Sequence, residues 1–506
     1  MKRETTLIPA SKNPPAKVKD KGLIRLARAG AVAYDASSDR ILWLPLGVAL
    51  LGRIRQGLMD RFRAAGAQSV QCGPGNSGTL PVAVRALKTE EQLPLCLMDP
   101  TEGAILLEGF DPEGALPGWP LYAERFLSFL QERGLGLSVF EEATPSGERT
   151  LVGCASDAEA RGAVEARTCP ACGWAGSVDA LLPGETSAPE EERPLEPVLT
   201  PGATTIVELC RQLDCSPERT IKTMFYAAEK DGKTFVVAAL VRGDRAVCAT
   251  KLSRALGGAA VRRAESVDLK QAGCDVAGFL GTVGLPGSIQ VIADLSVEGT
   301  KNRVVGANRP ETHLTGACWG RDYEAPVADI SGLEAGAPCP VCGKPVEKGW
   351  IRPVAFFCKG HPSLGAFPSL GYMDENRKRH VPGTWTGRVL VEAVALGSVA
   401  GGDEPFRLGL APADILVLPV EAGGEPARKA AEELAAELGR TGWTVLLDDR
   451  LLPDEVRLAE AKLTGSPVKV LVAGAWEAQI ARDGEGGGET LPLQDVGRLL
   501  EPMRIV

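Results

Sequence analysis

The sequence predicts a multidomain protein of mixed α/β and α+β class, and three observations lead to that prediction. Its 506 residues exceed the roughly 250–300 residues that one hydrophobic core usually supports. Residues 179–202 are rich in Pro and Glu and lack apolar periodicity, so we place a linker at 184–202. Beyond residue 405, strands and helices alternate at the spacing of a mostly parallel sheet with right-handed crossovers.

Composition and charge exclude several classes of protein. Apolar residues make up 44% of the chain, an ordinary value for a soluble globular protein. The longest apolar runs are too short to cross a bilayer, and the N-terminus lacks the apolar region of a signal peptide. We therefore expect a cytoplasmic protein with no membrane and no DNA partner. The net charge of −9 argues against a general nucleic-acid coat protein but allows a specific RNA enzyme with a local basic surface.

The first 183 residues begin with a basic, proline-bearing stretch, residues 1–30. After Leu44-Pro45-Leu46-Gly47, apolar residues recur at three- and four-residue steps, which predicts an amphipathic helix ending near Gly66. The same reasoning predicts a helix over residues 121–132 and strands at Ser69–Cys72, Glu91–Met98 and Leu135–Phe140.

Residues 203–330 mix helical and extended signals, which predicts a compact α+β domain of normal size. The predicted helices are Ile206–Leu213, one opening at Ser216-Pro217-Glu218, and Lys251–Leu256, and the predicted strands are Thr234–Val241, Gln290–Ala293 and Asn302–Val305. Residues 405–506 carry the clearest pattern. It predicts strands at Ile415–Val420, Thr444–Leu447 and Val468–Val472, with helices at Glu425–Leu438 and Asp454–Leu463.

Four of the thirteen cysteines lie in two Cys-Pro-x-Cys-Gly motifs, Cys169/Cys172 and Cys339/Cys342. In a protein expected to be cytoplasmic, such pairs favour metal binding over disulfides. Two such hairpins can place four thiolates about 2.3 Å from one Zn²⁺ in a closed, structural site. The alternative is four reduced cysteines without metal.

Short motifs follow one another along the chain in an order that is typical of one enzyme family. They are Leu44-Pro45-Leu46-Gly47, Ala65-Gly66-Ala67-Gln68, Gln92-Leu93-Pro94-Leu95, Thr220-Ile221-Lys222-Thr223, Val241-Arg242-Gly243-Asp244, Gly306-Ala307-Asn308, Trp319-Gly320-Arg321-Asp322, Asp374-Glu375-Asn376 and Leu447-Asp448-Asp449-Arg450. No single tetrapeptide is specific. Together they resemble the bacterial-type prolyl-tRNA synthetase family of class II aminoacyl-tRNA synthetases.

The resemblance implies an order of domains. Residues 1–183 and 331–404 would form a class II synthetase-like catalytic-type domain with an antiparallel sheet. Residues 203–330 would be an inserted α+β editing domain, and residues 405–506 a C-terminal α/β anticodon-binding domain. The resemblance also implies tRNA(Pro) as partner and a homodimer built on the motif 1 helix. An ordinary helix that packs within one chain is the alternative to the dimer helix.

The synthetase site departs from the family's pattern. The family's motif 2 arginine is missing, since no arginine lies between Arg85 and Arg125, and a short Gly-rich segment, Gly73–Gly78, replaces the proline-pocket loop. Arg388 is the candidate for the motif 3 arginine that binds ATP; the alternative is an ordinary surface arginine at a helix start. We therefore expect aminoacylation to be weak or lost, with ATP and Mg²⁺ as cofactors only where ligase activity survives.

The inserted segment keeps the residues that the family resemblance implies for editing. Lys222, Asp294 and His313 match the catalytic positions, and the implied substrate-binding residues are Gly281, Gly284, Pro286 and Arg242. The resemblance implies an alanine ester on tRNA(Pro) as substrate, a pocket too small for proline, and no metal in the reaction. Each residue alone has a plainer interpretation: a solvated lysine, a turn, a structural histidine.

In the C-terminal segment, the resemblance makes Asp449, Arg450 and Arg457 the candidate tRNA-binding residues, although the family's basic run is thinned there. Three functions remain open at this point. The first is a synthetase paralogue that deacylates Ala-tRNA(Pro) in trans. The second is a divergent proline–tRNA ligase, and the third is a non-catalytic tRNA-binding or regulatory dimer.

Overall fold

Contacts divide the chain into two units. The structure is a computed structural model, and it describes residues 1–10, 13, 15, 18–71, 80–101, 103–144, 147–177, 190–273, 280–360, 365, 367–398, 406–482 and 489–503. Unit 1 comprises Met1–Leu137, Val152–Val164 and Ile351–Val506, and unit 2 comprises Ser138–Leu151 and Glu165–Trp350. Among the described residues, no helix is both long and apolar enough to cross a membrane.

The helices and strands follow one another in a mixed order. The first 137 residues contain α1 (Lys21–Arg28), β1 (Val32–Asp35), β2 (Arg40–Trp43), α2 (Pro45–Ala64), β3 (Gln68–Ser69), α3 (Leu80–Ala86), β4 (Leu95–Asp99), β5 (Ala104–Asp111) and α4 (Trp119–Gln131). Between residues 138 and 332 lie β6 (Ser138–Thr144), β7 (Gly147–Ser156), β8 (Val164–Thr168), β9 (Ala175–Ser177), β10 (Glu196–Leu199), α5 (Ile206–Leu213), β11 (Ile221–Lys230), β12 (Lys233–Arg242), β13 (Ala246–Val247), α6 (Ala249–Ala255), β14 (Ala260–Arg263), α7 (Ser266–Gln271), β15 (Gln290–Asp294), β16 (Arg303–Gly306), β17 (Thr312–Ala317), β18 (Val327–Ala328) and β19 (Ser331–Gly332). From residue 347 onward lie β20 (Glu347–Lys359), β21 (Tyr372–Met373), β22 (Arg379–His380), β23 (Gly383–Leu390), α8 (Val391–Gly397), β24 (Ile415–Pro419), α9 (Gly424–Arg440), β25 (Val445–Leu447), α10 (Asp454–Thr464), β26 (Val468–Val472), β27 (Glu477–Arg482), β28 (Glu489–Pro492) and α11 (Val496–Leu500).

Unit 1 contains the antiparallel sheet that the resemblance implies. Strands β4, β5, β23 and β20 pair antiparallel in that order, and β3 joins β4 in parallel. The apolar face of α2 packs Leu50 and Ile54 into a core shared with Phe126 of α4 and Phe357 of β20. Burying such side chains removes their apolar surface from water, which is the main force that holds the helices to the sheet.

The C-terminal part of unit 1 confirms the predicted α/β pattern. The strand order is β25-β24-β26-β27-β28, with β24 parallel to both β25 and β26. The predicted strand Val468–Val472 has the same bounds in the structure, and the predicted Ile415–Val420 is found at Ile415–Pro419. These strands were predictable because continuous apolar runs between turn residues are typical of strands buried on both faces.

Unit 2 is an α+β unit with two principal sheets. One has the order β14-β11-β12-β15-β18, and the other has the order β10-β17-β16. The hairpin of β11 and β12 pairs ten residues on each strand, from Ile221 opposite Arg242 to Lys230 opposite Lys233. The open end of this hairpin lines the same cavity as His313 of β17, so the hairpin is the scaffold of the site described below.

Several predicted elements differ from the structure. The helix predicted from Ser216-Pro217-Glu218 is wrong, because the chain makes one 3₁₀ turn, Pro217–Arg219, and enters strand β11 two residues later. Proline at a first helical position is equally compatible with a single turn, and pairing with the distant β12 decides the outcome. Lys222 consequently lies in a strand and not at a helix start.

Smaller differences concern strand bounds in the first 140 residues. The strand predicted at Glu91–Met98 begins at Leu95, after a 3₁₀ turn, and the one predicted at Leu135–Phe140 begins at Ser138. The strand predicted at Ser69–Cys72 is found at Gln68–Ser69, and Cys72 lies outside the described residues, as does the Gly73–Gly78 segment.

Candidate functional site

A cavity of about 740 Å³ lies in unit 2 at the start of the β11–β12 hairpin. Its walls come from the segment around the N-terminus of α5, from β11, from the turn after β12, and from β14, β16 and β17. The lining residues are Ala203, Thr204, Thr205, Ile206, Val207, Leu209, Pro217, Ile221, Lys222, Thr223, Met224, Phe225, Gly243, Asp244, Arg263, Ala264, Leu269, Leu280, Gly306 and His313.

Lys222 places a positively charged ammonium group in the wall of this cavity. It is the second residue of β11 and is half-buried. Within the described part of the chain, its ammonium group has no hydrogen bond and no ion pair. Burial lowers the pKa of Lys222, against the raising influence of the carboxylates of Asp244 and Glu334. A partly desolvated ammonium without a direct partner is suited to bind an anion that enters the cavity.

Asp244 supplies the negative charge in the cavity wall, and Arg242 holds it in place. Arg242 is buried and donates from Nε and Nη2 to the two carboxylate oxygens of Asp244, each at 2.6 Å. Burial alone would raise the pKa of Asp244, but the hydrogen bonds and charge of Arg242 outweigh it and lower that pKa. Gly243 between them is required because a Cβ there would lie 1.9 Å from Thr220 Oγ1.

The prediction for this segment named Arg242 as the substrate-binding residue, whereas the structure lines the cavity with Asp244. Arg242 therefore acts through Asp244 in the described arrangement. The Arg-Gly-Asp motif contained the signal, but the sequence does not show which of its two charged side chains faces the cavity. That choice depends on where β12 ends and on the fit of Gly243 against the turn at Pro217.

His313 enters the cavity from β17. Its Nδ1 lies 2.6 Å from Thr200 Oγ1, and the side chain is buried. Burial lowers the pKa of His313, so the imidazole is neutral at physiological pH. The bond to Thr200 fixes the orientation of the ring, and the pairing of Val198 with His313 brings β10 alongside. A neutral, oriented imidazole can accept or donate a hydrogen bond at its other nitrogen.

The predicted glycine loop lies behind the cavity wall, and Asn308 holds it. Gly281 donates its N–H to Asn308 Oδ1 at 2.8 Å, and Asn308 Nδ2 donates to the carbonyl of Val283 at 2.7 Å. A Cβ on Gly281 would lie 1.7 Å from the carbonyl oxygen of Gly306, so no side chain fits. Gly306 itself lines the cavity. Asn308 was not named from the sequence as a candidate site residue, although the Gly-Ala-Asn motif that contains it is among the motifs of the resemblance.

The other two predicted loop residues have separate positions. Gly284 adopts a positive φ of 76°, a conformation that glycine tolerates best. The carbonyl of Pro286 accepts a hydrogen bond from the N–H of Ile289. Neither residue is among the described residues that line the cavity, and Leu280 is the residue of this loop that does.

Asp294, the third predicted catalytic residue, is not brought to the cavity. It is 0% exposed at the end of β15. Its carboxylate accepts hydrogen bonds from Ser296 and from the backbone N–H groups of Ile330 and Ser331, at 2.6–3.0 Å, with Arg245 at 3.4 Å. This position gives Asp294 the task of tying the segment at 330–331 to the sheet. Of the three residues, the structure brings Lys222 and His313 together.

The four cysteines of the two Cys-Pro-x-Cys-Gly motifs form one cluster in unit 2. Their sulfur atoms all lie within 4.8 Å of one another, with Cys169 and Cys342 3.5 Å apart and Cys172 and Cys339 3.7 Å apart. Four sulfurs at about 2.3 Å from a tetrahedral Zn²⁺ would be roughly 3.8 Å apart, so the donor set fits this ion.

The two hairpins of this cluster are built alike. Gly173 donates its N–H to the carbonyl of Cys169, and Gly343 does the same to Cys339, both glycines having positive φ. Burial would raise the pKa of the Cys169 thiol, but hydrogen bonds from the Cys172 backbone and the Cys342 thiol lower it to about 7. Despite the backbone hydrogen bond of Trp174, burial and the hydrogen bonds with the other three sulfur atoms raise the pKa of the Cys172 thiol to about 12, so the cluster favours one thiolate first. Thiolate character is what a metal ligand needs.

The remaining predicted residues lie in unit 1. Arg388 is on strand β23, between Leu106 of β5 and Phe356 of β20, and it is exposed. It precedes α8 by three residues and is therefore a strand residue, not one at a helix start.

The predicted tRNA-binding residues are engaged within the fold. Arg450 binds Asp448 through two bonds of 2.8 Å and also reaches Glu460 at 2.9 Å. Arg457 is buried and donates to Asp454, and Asp449 accepts the N–H of Glu4 at 2.9 Å. In this state, neither arginine offers an uncommitted guanidinium.

Comparison with known proteins identifies the segment that holds the cavity. The family model of the aminoacyl-tRNA editing domain matches residues 200–323. That range contains the four charged or titratable cavity residues Lys222, Asp244, Arg263 and His313. All the residues that line the cavity fall inside the matched segment.

Curated relatives of the chain are proline–tRNA ligases. The protein of Acidobacterium capsulatum is 32% identical over 359 residues, which cover 66% of this chain and 59% of that protein. The protein of Moorella thermoacetica is 35% identical over 312 residues, covering 60% of this chain and 53% of that protein. The chain thus spans a little over half the length of these relatives.

Among solved structures, the prolyl-tRNA synthetase of Cryptosporidium parvum in complex with halofuginone and AMPPNP is similar at 7% identity, with a TM-score of 0.46 over 95% of this chain and 76% of that one. So weak a likeness transfers no residue and no ligand. The sequence relatives and the matched domain are the informative comparisons. Residues 200–323 match the aminoacyl-tRNA editing domain, and over 60–66% of its length the chain is similar to curated proline–tRNA ligases.

Proposed function

We propose that this chain hydrolyses a mischarged aminoacyl-tRNA, with Ala-tRNA(Pro) as the substrate, and that its synthetase-like part aminoacylates weakly or not at all. The observation that carries the proposal is the convergence of Lys222, Asp244 and His313 on one cavity inside the segment similar to editing domains. Water attacks the ester carbonyl, the bond between that carbon and the ribose oxygen breaks, and free alanine and tRNA leave.

Lys222 binds a phosphate near the 3′ end of the tRNA. Its ammonium is half-buried, has no direct partner among the described residues, and lies close enough to Asp244 for their charges to interact. A charge that is held in a partly desolvated site interacts more strongly with a phosphate than a solvated surface lysine does. Asp244, fixed by Arg242, orients the ammonium without neutralising it through a direct ion pair.

His313 contacts the ribose or the attacking water. Because its pKa is lowered by burial, it works as a neutral hydrogen-bonding group, and Thr200 keeps the ring oriented. A group placed in this way assists the water or positions the terminal hydroxyl of the tRNA. The role proposed for His313 thus needs no change of charge near pH 7.

Selectivity for alanine is steric. The wall at Gly306 is backed directly by the backbone of Gly281, and Asn308 holds that loop by two hydrogen bonds. A wall made of backbone does not move aside easily, so a small acyl group enters and a proline ring is excluded. Hydrophobic pockets discriminate one methylene by only about 1–3 kcal/mol, and a rigid steric limit is more effective against a larger ring.

The test is the release of alanine from pre-charged Ala-tRNA(Pro). The wild-type protein should deacylate well above the uncatalysed rate, and Lys222→Ala should return the rate to near background. Lys233→Ala is the matched control, because Lys233 is an exposed lysine at the opposite end of the same hairpin. If wild type and Lys222→Ala both match the uncatalysed rate, the proposed function is wrong.

A second candidate function is a working proline–tRNA ligase. It is favoured by the names of the curated relatives and by the exposed Arg388 on the antiparallel sheet. Proline-dependent ATP–pyrophosphate exchange decides between the two, since adenylation is required of a ligase and not of a deacylase. A clear exchange signal would assign ATP, Mg²⁺ and proline to this chain. Tight tRNA binding with neither activity would instead assign it to a non-catalytic regulator.

The four-cysteine cluster supports a structural Zn²⁺ site. Cys169, Cys172, Cys339 and Cys342 would hold the ion, which would join the two hairpins and take no part in the chemistry of the cavity. We further propose a homodimer, on the resemblance of the α2 region to motif 1. Sedimentation of the purified protein gives the molar mass, and the mass of a monomer would refute the dimer.

A further inference from the structure

Three consecutive acidic residues just before the editing domain, Glu190–Glu192, lie against basic side chains of that domain; we call this segment the acidic strap. Glu190 pairs with Arg219 at 2.5 Å and lies 4.0 Å from Arg303. Glu192 pairs with Lys301 at 3.1 Å and with Arg321 at 3.5 Å. We call Arg219, Lys301, Arg303 and Arg321 the basic cluster. Two carboxylates of the strap thus face four cations, of which Arg321 is also held by Asp322 at 2.7 Å.

The side chain of Asn302 binds the backbone of the strap and of the residue that follows it. Its Nδ2 donates to the carbonyl of Glu191 at 2.8 Å and to Glu190 Oε2 at 3.2 Å, and its Oδ1 accepts the N–H of Arg193 at 2.8 Å. The side chain of Glu191, by contrast, is exposed and has no ion pair within the described part of the chain. Four ion pairs and several hydrogen bonds thus hold the strap. Ion pairs that are partly open to solvent contribute little each, so phosphate groups can compete with them.

The basic cluster is incompletely satisfied by the strap. Arg303 is only 8% exposed, its Nε has no hydrogen-bond partner among the described residues, and its nearest strap carboxylate is 4.0 Å away. Burial lowers the pKa of Arg303, and the nearby charge of Arg219 adds to this effect. A buried guanidinium without full pairing is costly, so an anion with more acceptor oxygens would satisfy it better than Glu190 does.

The basic cluster continues from the cavity along the same elements. Arg219 precedes Lys222 by three residues, and Arg303 precedes Gly306 by three residues on β16, while both Lys222 and Gly306 line the cavity. Arg219 lies in the 3₁₀ turn that leads into β11, whereas the three residues from Arg303 to Gly306 are strand and span about 10 Å. A chain of phosphates leaving the cavity would therefore meet these cations next. Beside them is a second cavity of about 450 Å³, lined in part by Arg219, Asn302 and Thr315.

We propose that the basic cluster is a binding surface for the phosphate backbone of RNA, and that the acidic strap occupies it in the free protein as a stand-in for those phosphates. The strap leaves when RNA binds, so the intrinsic affinity of the surface is reduced by the competing carboxylates. The surface is one of backbone recognition, since point charges and guanidinium forks read phosphate and not base identity. The identification of the RNA as an aminoacyl-tRNA rests on the proposed function.

Equilibrium binding of uncharged tRNA(Pro), followed by fluorescence anisotropy at several salt concentrations, tests the strap. The double variant Glu190→Gln/Glu192→Gln should bind about tenfold more tightly at low salt. Its log affinity should fall more steeply with log salt, by roughly 2, because the loss of two carboxylates leaves about two more cationic charges for phosphates. Glu191→Gln is the control, since it removes one carboxylate charge, half the change of the double variant, from the same segment without breaking an ion pair.

A second variant tests the surface itself. In the Glu190→Gln/Glu192→Gln variant, Lys301→Gln should weaken RNA binding several-fold. It should have a smaller effect in the wild type, where Lys301 is already paired with Glu192. Equal affinities and salt slopes for wild type, the double variant and Glu191→Gln would overturn the proposal. A gain of the double variant for anionic lipid vesicles without a gain for RNA would also overturn it.

The binding measurement is independent of hydrolysis. If the RNA affinity rises on loss of the strap but no alanine is released from Ala-tRNA(Pro), the RNA-binding surface is supported and the proposed function is wrong. If the protein deacylates Ala-tRNA(Pro) but the strap variants do not change its RNA affinity, the proposed function is supported and the proposed RNA-binding surface is wrong. Far-ultraviolet circular dichroism of each variant shows whether it is folded before binding is compared.

Discussion

The cavity in unit 2 and the sheet face around Arg388 in unit 1 differ in how their charged groups are supported. In the cavity, Arg242 fixes Asp244, Thr200 orients His313, and burial shifts the pKa of Lys222. Arg388 stands exposed on its strand between Leu106 and Phe356. Groups that are held in place and tuned by neighbours are typical of working sites. A fold can therefore be present without the neighbouring contacts that position and tune a site.

Metal removal should have the largest effect, and it separates the two units. The four cysteines all lie in unit 2, so a strong chelator should lower the melting temperature of that unit by about 10 °C or more and leave the transition of unit 1 in place. Differential scanning calorimetry measures both transitions, and restored zinc should reverse the change. Identical calorimetric traces with and without chelator would mean that the four thiols bind no metal that stabilises the fold.

Substitution of one cation in each region tests the contrast directly. Lys222→Ala should reduce single-turnover deacylation of Ala-tRNA(Pro) by about 30-fold or more, because a partly desolvated charge contact is lost. Arg388→Ala should change it less than about twofold, as surface substitutions usually do. A large loss on Arg388→Ala would show that the two regions act together in the reaction.

Gly281→Ala should reduce deacylation by about tenfold, since its methyl group would overlap the carbonyl oxygen of Gly306 and force the loop to shift. Gly287→Ala is the matched control in the same loop, because a Cβ there meets nothing within 4 Å. The ratio of alanine to proline release should fall for Gly281→Ala as well. Equal rates for the two variants would remove the steric argument for selectivity.

The smallest effect concerns pH and His313. Burial lowers the folded pKa of His313 below its unfolded value of about 6.5, so between these values the unfolded state binds more protons. Its contribution to stability is therefore full above about pH 6.5 and is lost as pH falls below that value. Urea unfolding of wild type and His313→Gln between pH 7.5 and 5 measures this, and parallel curves for the two proteins would contradict it.

Much of the fold was predictable where the signal is local. The C-terminal strands at Ile415 and Val468 were predicted nearly to the residue, because apolar runs between turn residues need no distant partner to be recognised. The helix predicted at Pro217 is wrong, because a proline can start either a helix or a single 3₁₀ turn. Pairing of β11 with β12 decides between them, and that register is not visible in a short window.

The candidate site was predictable in its residue types and less so in its geometry. The spacing of the cysteines led directly to their cluster, because each pair lies within one hairpin. Asp294 was predicted as catalytic because the family resemblance implies that role at its position, yet its partners at 330–331 lie more than thirty residues away. Asp244 was passed over for Arg242, because the direction of two adjacent charged side chains depends on where the strand ends.

The contact between the backbones of Gly281 and Gly306 also has an evolutionary consequence. A pocket wall formed by side chains can be reshaped one substitution at a time, by larger or smaller residues. Here the wall at Gly306 has no side chain to exchange, and its neighbour at Gly281 admits none. A descendant of this chain that accepts a larger acyl group would therefore have to change the length or path of the loop near 281–286, a rarer event than point substitution.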